Sequence, residues 1–268
     1  MKMAEVLRVS RSGYYGWEKR KCFSDPMETS LMDLIRSIYE EHSARYGYRR
    51  ITAEIKHRGL EVNRKHIYRL MRKMELKAKC PRRFKKTTNS NHKEKISENL
   101  VRQNFKPEKT EQIWLSDTTY IMTTEGSLYL AVVMDLYTRR IMGWELGQKN
   151  DRELVIKAFE KAATKYEITA DAIFHSDRGS TYASSDFRDV ISKFGFRQSM
   201  SSKGNCYDNA PMESFFHSLK NELVLRNAIG SKSKTRTEIF QYIEFYYNKV
   251  RLHSSLKYRT PDQVFFDR

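Results

Sequence analysis

The chain has 268 residues, of which 50 are Lys or Arg and 33 are Asp or Glu, so its formal net charge is +17. Its 39% hydrophobic and 12% aromatic residues suffice for a buried core and exclude a disordered tail. The longest apolar run, Leu128 to Met134, is far shorter than the roughly 20 residues that cross a membrane. Three separated cysteines predict neither a disulfide framework nor a thiolate zinc site. We therefore expect a soluble, cytoplasmic protein without membrane contact.

The positive charge is concentrated in the first part of the chain. Residues 1–104 contain 26 basic and 12 acidic side chains, a net charge of 26 − 12 = +14. Residues 105–268 contain 24 and 21, a net charge of 24 − 21 = +3. Lys and Arg bind polyanions by neutralising phosphates and releasing counterions, so the first part is expected to bind nucleic acid. A basic surface that serves solubility alone is the alternative.

The N-terminal third is predicted to form short helices. A small unit over residues 3–20 contains a turn and a helix start, and further helices are expected over 28–42, from about 49 to 59, and after the cap Asn63. The last helix has apolar residues on one side and these candidate DNA contacts elsewhere: Arg64, Lys65, Arg69 and Arg72. Residues 1–79 are therefore a predicted helix-turn-helix-like DNA-binding region; a three-helix bundle with a solvated basic face is the alternative.

Residues 80–105 are basic and polar, which predicts a linker. Arg82 and Arg83 are its candidate DNA contacts, because a basic run between two DNA-binding domains can lie along a phosphate backbone. A run of this kind is otherwise a solvated surface.

After residue 105 the pattern changes from helical to strand-like periodicity. Three strands over 113–122, 128–136 and 140–146 are expected to be antiparallel neighbours. The later elements are a helix capped by Asn150 or Asp151, a strand over 172–175, a helix from Ser184 or Ser185, a strand over 196–200 and a further helix. This βββαβαβ order predicts that residues 106–268 form an α/β mixed sheet with helices on both faces and a C-terminal helical extension.

Three acidic residues stand out by their place in this order. Asp117 lies within the first strand, Asp177 follows the fourth strand, and Glu213 begins a late helix on which Lys220 shares its polar face. Singly, these acids are explained as a turn cap, an ordinary loop residue and a helix N-terminal residue. Together they occupy the elements that meet at one edge of an RNase H-like sheet. Three carboxylates there suit two Mg²⁺ ions about 4 Å apart, which clamp the oxygens of a phosphodiester.

The sequence segments around these acids resemble those of a known family. Asp177 and Glu213 have the Asp-35-Glu spacing of transposases and retroviral integrases. Four segments resemble the second-frame (OrfB) transposase of the insertion sequence three family, part of the DDE transposase and retroviral integrase superfamily: Trp-Leu-Ser-Asp-Thr-Thr-Tyr-Ile, Phe-His-Ser-Asp-Arg-Gly-Ser-Thr-Tyr, Lys-Gly-Asn-Cys-Tyr-Asp-Asn-Ala-Pro-Met-Glu-Ser-Phe-Phe and Tyr-Asn-Lys-Val-Arg-Leu-His-Ser-Ser-Leu. The resemblance covers nearly the whole chain.

This resemblance implies an RNase H-like integrase catalytic core and metal-dependent DNA strand cleavage and transfer. It assigns Asp117, Asp177 and Glu213 as catalytic metal ligands for two Mg²⁺ ions, which Mn²⁺ can replace. It implies hydrolysis of one strand at an element end, followed by in-line attack of the freed 3′-OH without a covalent protein intermediate. Lys220 is expected to hold a DNA phosphate. In the loop before Glu213, the polar residues suited to DNA contact are Asn205, Tyr207, Asp208 and Asn209.

The resemblance also implies partners. They are DNA, as terminal inverted repeats of a bacterial element and as target DNA, a second copy of the chain in a homo-oligomer on DNA, and a first-frame (OrfA) protein, often fused by frameshifting. The expected location is the bacterial cytoplasm, in association with the nucleoid. The chain shows no sustained heptad of its own, so specific recognition of element ends can depend on the first frame.

The sequence leaves three other functions to consider. A catalytically silent DNA-binding regulator derived from a transposase is the main alternative, although all three acids are present. An RNA-cleaving nuclease of the same fold is weakly disfavoured by the basic N-terminal region. Arg251, His253 and Tyr258 could be mistaken for a tyrosine recombinase site, but a lone motif out of context is poor evidence.

Overall fold

The computed structural model describes residue 6 and residues 9–22, 26–78, 96–202, 205–224 and 230–267. The chain divides into two compact units, Met1–Lys79 and Cys80–Arg268. Arg82 and Arg83, two of the predicted DNA contacts, lie outside the described residues.

The N-terminal unit is helical, as the sequence predicts. Its helices are α1 (Arg11–Cys22), α2 (Pro26–Glu41), α3 (Tyr48–His57) and α4 (Arg64–Lys73). Asn63 caps α4 by accepting a hydrogen bond from the backbone N–H of Lys65 at 2.8 Å. Isoleucines from three helices, Ile35, Ile38, Ile51, Ile55 and Ile67, are fully buried and form the centre of this unit.

The second unit contains a five-stranded mixed sheet in the order β3-β2-β1-β4-β5. The strands are β1 (Ile113–Thr123), β2 (Gly126–Asp135), β3 (Ile141–Gly147), β4 (Ile173–Ser176) and β5 (Arg197–Met200). The first three strands pair antiparallel, whereas β4 pairs parallel to β1 and to β5. The predicted order of the strands along the chain and the antiparallel arrangement of the first three strands are therefore confirmed.

The helices of this unit connect the strands and extend beyond them. They are α5 (Arg152–Ala163), α6 (Ser180–Ala183), α7 (Ser185–Lys193), α8 (Ala210–Leu219), α9 (Lys232–Phe240) and α10 (Pro261–Phe266). Short 3-10 turns occur over Cys206–Asn209 and Ser254–Leu256, and π-helical turns over Lys220–Val224 and Gln241–Tyr247. Asp151 and Ser184 cap α5 and α7, in agreement with the sequence. Among the described helices, none is both long and apolar enough for a membrane span.

Two hydrophobic cores lie on opposite faces of the sheet. Ile113, Leu115 and Ile121 of β1 pack in one core with α8 and the π-helical turn Gln241–Tyr247. Trp114 faces the other side and packs with α5 and α7. Gly143 permits the close approach of α5, since a Cβ at this position would lie 2.4 Å from the carbonyl oxygen of Ala158. The prediction of helices on both faces is confirmed.

Candidate active site

The pairing of β1 with β4 brings two of the predicted acids to the same level. In this parallel pair Ile113 lies opposite Ile173 and Leu115 lies opposite His175. The same register, continued two residues beyond the last pair, sets Asp117 beside Asp177. Because β4 ends at Ser176, the edge of β1 next to Asp117 is not covered by a strand. The two carboxylates therefore meet where the sheet opens.

The electrostatics of Asp117 reflect these neighbours. Its carboxylate accepts a hydrogen bond from the backbone N–H of Thr118 at 2.7 Å. Burial raises the pKa of Asp117 well above its ordinary value, and the negative charges of Asp177 and Glu213 raise it further. The nearby ammonium of Lys220 acts in the opposite direction on this pKa. Asp177, Glu213 and Lys220 thus all lie within electrostatic reach of Asp117.

A tight turn holds Asp177. Its Oδ1 accepts a hydrogen bond from the backbone N–H of Gly179 at 2.9 Å, and a Cβ on Gly179 would lie 3.0 Å from the same oxygen. The adjacent Arg178 donates from Nε to the carbonyl oxygen of Ser201 at 2.6 Å. The carboxylate is therefore fixed on a short loop between β4 and α6.

Glu213 approaches from the helix that covers this face of the sheet. Met212, Phe215 and Leu219 of α8 are buried in the same core as Leu115, whereas Glu213 itself is exposed. Side chains alternate along a strand, so Asp117 shares the sheet face of Leu115. The packing of α8 thus brings Glu213 to the side of the sheet on which Asp117 lies.

Lys220 begins the π-helical turn that follows α8. Its Nζ lies 5.0 Å from the ring centroid of Tyr120, three residues beyond Asp117 on β1. Burial lowers the pKa of Lys220, and the charge of Asp117 opposes this effect. The predicted cation therefore lies beside the acids. Tyr120, which is 41% exposed, is a site residue that the sequence did not single out.

The loop before Glu213 differs from its prediction. Asp208 and Asn209 are 1% and 5% exposed, so they are not available to bind DNA, and that expectation is wrong for both. Asn209 donates from Nδ2 to the carbonyl oxygen of Ser116 at 3.1 Å and so ties the loop to β1. Tyr207 is 69% exposed and remains a candidate contact. These side chains face inward because the loop covers backbone groups that would otherwise lack partners.

The chemistry of the acids fits a hard divalent cation. Carboxylate oxygens are the ligands that Mg²⁺ prefers, and the mutual repulsion recorded in the raised pKa of Asp117 is what a cation relieves. Across the described residues, however, no three His, Cys, Asp or Glu side chains are grouped as a metal site.

Known protein families and relatives match nearly the whole chain. Residues 27–84 match the family described as HTH-like domain, and residues 107–206 and 194–261 match two families, each described as Integrase core domain. The chain is 36% identical over 264 residues to the transposase InsF for insertion sequence IS3A of Escherichia coli K12, covering 97% of this chain and 92% of InsF. The chain belongs to the IS3 family of transposases.

Two further proteins are similar to this IS3-family chain. The insertion element IS600 31 kDa protein of Shigella sonnei is 40% identical over 255 residues, covering 95% of this chain and 94% of that protein. A chain of the simian T-cell lymphotropic virus intasome has a TM-score of 0.50 at 12% identity, covering 87% of this chain and 74% of that chain. The latter likeness concerns the fold alone, and it agrees with the predicted RNase H-like integrase core.

The basic helix of this IS3-family chain has the amphipathic form that the sequence predicts. Arg64, Lys65, Arg69 and Arg72 are exposed, while Ile67, Leu70 and Met71 face the core of the N-terminal unit. Asn63 and Gly59, which has a φ of +86°, separate α4 from α3. The four basic side chains are therefore accessible from solvent.

Arg251, which with His253 and Tyr258 could be mistaken for a tyrosine recombinase site, has a structural role. Arg251 is 4% exposed and its guanidinium forms a buried ion pair with Glu222 at 2.8 Å. A recombinase arginine must reach a DNA phosphate, and this one is enclosed. The tyrosine recombinase alternative is therefore excluded by the packing around Arg251.

Proposed function

We propose that this IS3-family chain cleaves and joins DNA strands in a metal-dependent reaction during transposition of a bacterial insertion sequence. Asp117, Asp177 and Glu213 are the catalytic carboxylates in this proposal. The observation that supports it most directly is the pairing of β1 with β4, which brings Asp117 and Asp177 to the same level at an open sheet edge, with Glu213 near enough to act on the pKa of Asp117. Strand pairing and helix packing bring these acids together at an open sheet edge, and their mutual repulsion lowers the stability of the fold. Destabilising groups of this kind are typical of functional sites.

Each side chain has a defined part in this proposal. Bound divalent cations would supply the Lewis-acid chemistry of phosphoryl transfer. Asp117 and Asp177, held by β1 and by the Gly179 turn, would be their ligands, and Glu213 would join them from α8. Asp117 has to lose its proton before it can ligate, which the positive charge of a cation favours. Lys220 would orient a DNA phosphate beside these carboxylates.

The proposed substrates are the DNA ends of the element and the target DNA. The exposed basic face of α4 is suited to the phosphate backbone, and Arg64, Lys65, Arg69 and Arg72 are the side chains proposed to bind it. A homo-oligomer on DNA and a first-frame protein are the proposed partners. Strand transfer joins two DNA segments, which is why more than one copy of the site is expected to assemble.

The test uses labelled oligonucleotides of the element ends, the full chain and Mg²⁺ or Mn²⁺, with products separated on a denaturing gel. Asp177→Asn should lower cleavage and joining at least about 10³-fold, since several kcal/mol of transition-state stabilisation depend on the bound cation. Asp171→Asn is the matched control, because Asp171 is exposed and precedes the opposite end of β4. Equal activity of Asp177→Asn and the wild type would reject the site. DNA binding without cleavage by the wild type would support the silent regulator instead.

The basic helix gives a separate prediction. Arg69→Ala should weaken DNA binding similarly for all sequences and reduce the slope of log K against log salt by about 1, because one phosphate contact is lost. The measurement is a titration of labelled duplex by fluorescence anisotropy at several salt concentrations. Lys56→Ala is the control, since Lys56 lies on α3 in an exposed ion pair with Glu61. An unchanged slope for Arg69→Ala would remove α4 from the DNA interface.

A further inference from the structure

The buried carboxylate of Asp208 accepts hydrogen bonds from four neutral donors. The backbone N–H of Ser202 donates to it at 2.6 Å and Nδ2 of Asn205 at 2.9 Å. Two further donors come from a distant part of the chain: Nδ2 of Asn99 and Nε2 of Gln103, each at 2.9 Å. A carboxylate held by four donors is a rigid anchor rather than a solvated loop acid.

The two distant donors belong to residues 97–103, here called the strap. The strap lies against the edge strand β5. The hydroxyl of Ser97 donates to Gln198 at 2.7 Å, the N–H of Leu100 donates to the hydroxyl of Ser199 at 2.9 Å, and Val101 is buried. These contacts fix the strap to the sheet even though the sequence assigns it to a linker.

Asp208 stands at the entrance to the helix that carries Glu213. It lies in the 3-10 turn Cys206–Asn209, which continues directly into α8. The next residue, Asn209, is hydrogen bonded to the carbonyl of Ser116, the residue before Asp117. The turn is therefore held on one side by the strap and on the other by β1. Glu213, in the first turn of α8, is the carboxylate nearest to this anchored turn along the chain.

We infer that Asp208 is a positioning residue for Glu213, and that Asn99 and Gln103 of the strap hold it in place. Met212, Phe215 and Leu219 keep α8 on the sheet by apolar packing alone. The direction of its first turn needs a polar anchor, and Asp208 supplies it. Loss of the two strap donors leaves the helix packed but its first turn free to shift. This inference rests on the proposed function for the role of Glu213.

The experiment uses the full chain with the double substitution Asn99→Ala and Gln103→Ala. Two quantities are measured: hydrogen exchange of the amides over residues 205–219 in metal-free protein, and the Mn²⁺ concentration for half-maximal strand cleavage. We expect faster exchange in this stretch and a rise of about 10-fold in the Mn²⁺ concentration, with excess Mn²⁺ restoring cleavage, as for outer-shell partners of metal ligands. The Kd for DNA should stay unchanged.

Arg102→Ala is the matched control, because Arg102 lies in the same strap and forms an exposed ion pair with Glu98. It should leave both quantities unchanged. Exchange over 205–219 that equals the wild type, or an unshifted Mn²⁺ requirement in an active double variant, would overturn the inference. A wild type without metal-dependent cleavage would count against the proposed function, and the metal-free exchange would still decide whether the strap anchors the turn.

Discussion

Asp117→Asn is expected to abolish strand cleavage and, in the same protein, to raise the stability of the metal-free state. Burial and the charges of Asp177 and Glu213 raise the pKa of Asp117, so its ionised form destabilises the fold at neutral pH. Asn keeps an oxygen that can accept the hydrogen bond from the N–H of Thr118 and carries no charge. It also removes a metal ligand, so the loss of activity should be at least about 10³-fold.

The pH dependence follows from the sign of this shift. A carboxyl group whose pKa is raised by folding contributes stability below its unfolded pKa, and that contribution is lost as pH rises through the folded pKa. The Tm of Asp117→Asn minus that of the wild type should therefore be near zero at pH 3 and positive at pH 8. Each 1 kcal/mol gained in the free energy of unfolding raises Tm by roughly 2–4 °C for a protein of this size.

Thermal unfolding in EDTA between pH 3 and pH 8 measures this difference, and the cleavage assay measures the loss of activity. Asp171→Asn is again the control, because it changes an exposed Asp in the same way. In the presence of Mn²⁺ the wild type should have the higher Tm of the two proteins, since the cation binds and stabilises the wild type alone. A metal-free Asp117→Asn protein that is less stable than the wild type at pH 8 would contradict the electrostatic account of the site.

Local signals predicted the elements that carry the acids. The extended run of residues that forms β1 and the caps Asp151 and Ser184 are short-range features, and the structure has them where the sequence indicates. The adjacency of Asp117 and Asp177 depends on parallel pairing of β1 with β4. The order of elements predicts a parallel crossover, and the likeness to an RNase H-like sheet predicts that these strands meet at one edge. The fold and the neighbourhood of the acids could therefore be predicted from sequence.

The surroundings of the acids could not be predicted in the same way. Asp208 and Asn209 have the composition of an exposed loop, and their burial depends on contacts with residues far away in the sequence. Asn99 and Gln103 lie in a basic, polar stretch that resembles a solvated linker, yet they reach Asp208 across 109 and 105 residues. Polar side chains of this kind carry no periodicity that distinguishes an inward from an outward orientation.

The second large effect is expected at the buried ion pair behind α8. Arg251 donates to both carboxylate oxygens of Glu222, at 2.8 and 2.9 Å, and to the hydroxyl of Ser218 at 2.8 Å. The hydroxyl of Tyr242 donates to the same carboxylate at 3.0 Å. Burial acts to lower the pKa of Arg251, but the charge of Glu222 outweighs this and raises it. The pair joins the π-helical turn that begins at Lys220 to the C-terminal segment.

Arg251→Met should destabilise the protein by about 3–5 kcal/mol, because Glu222 is left as a buried charge without its cation. That corresponds to a fall in Tm of roughly 6–20 °C. The measurement is urea or thermal unfolding at pH 7. Arg259→Met is the matched control: Arg259 forms an ion pair with Asp267 at the surface, and the loss of such a pair costs about 1 kcal/mol or less.

Two further measurements separate the charge from the packing. In Arg251→Met the charge of the buried Glu222 has no cation beside it, so the deficit relative to the wild type should shrink as the pH is lowered and the carboxylate is neutralised. The double substitution Arg251→Met with Glu222→Gln should recover much of the loss at pH 7, because no buried charge remains. If the single variant lost stability equally at all pH values and the double variant recovered nothing, the guanidinium would be acting through its packing and neutral hydrogen bonds. The electrostatic role assigned to the pair would then be rejected.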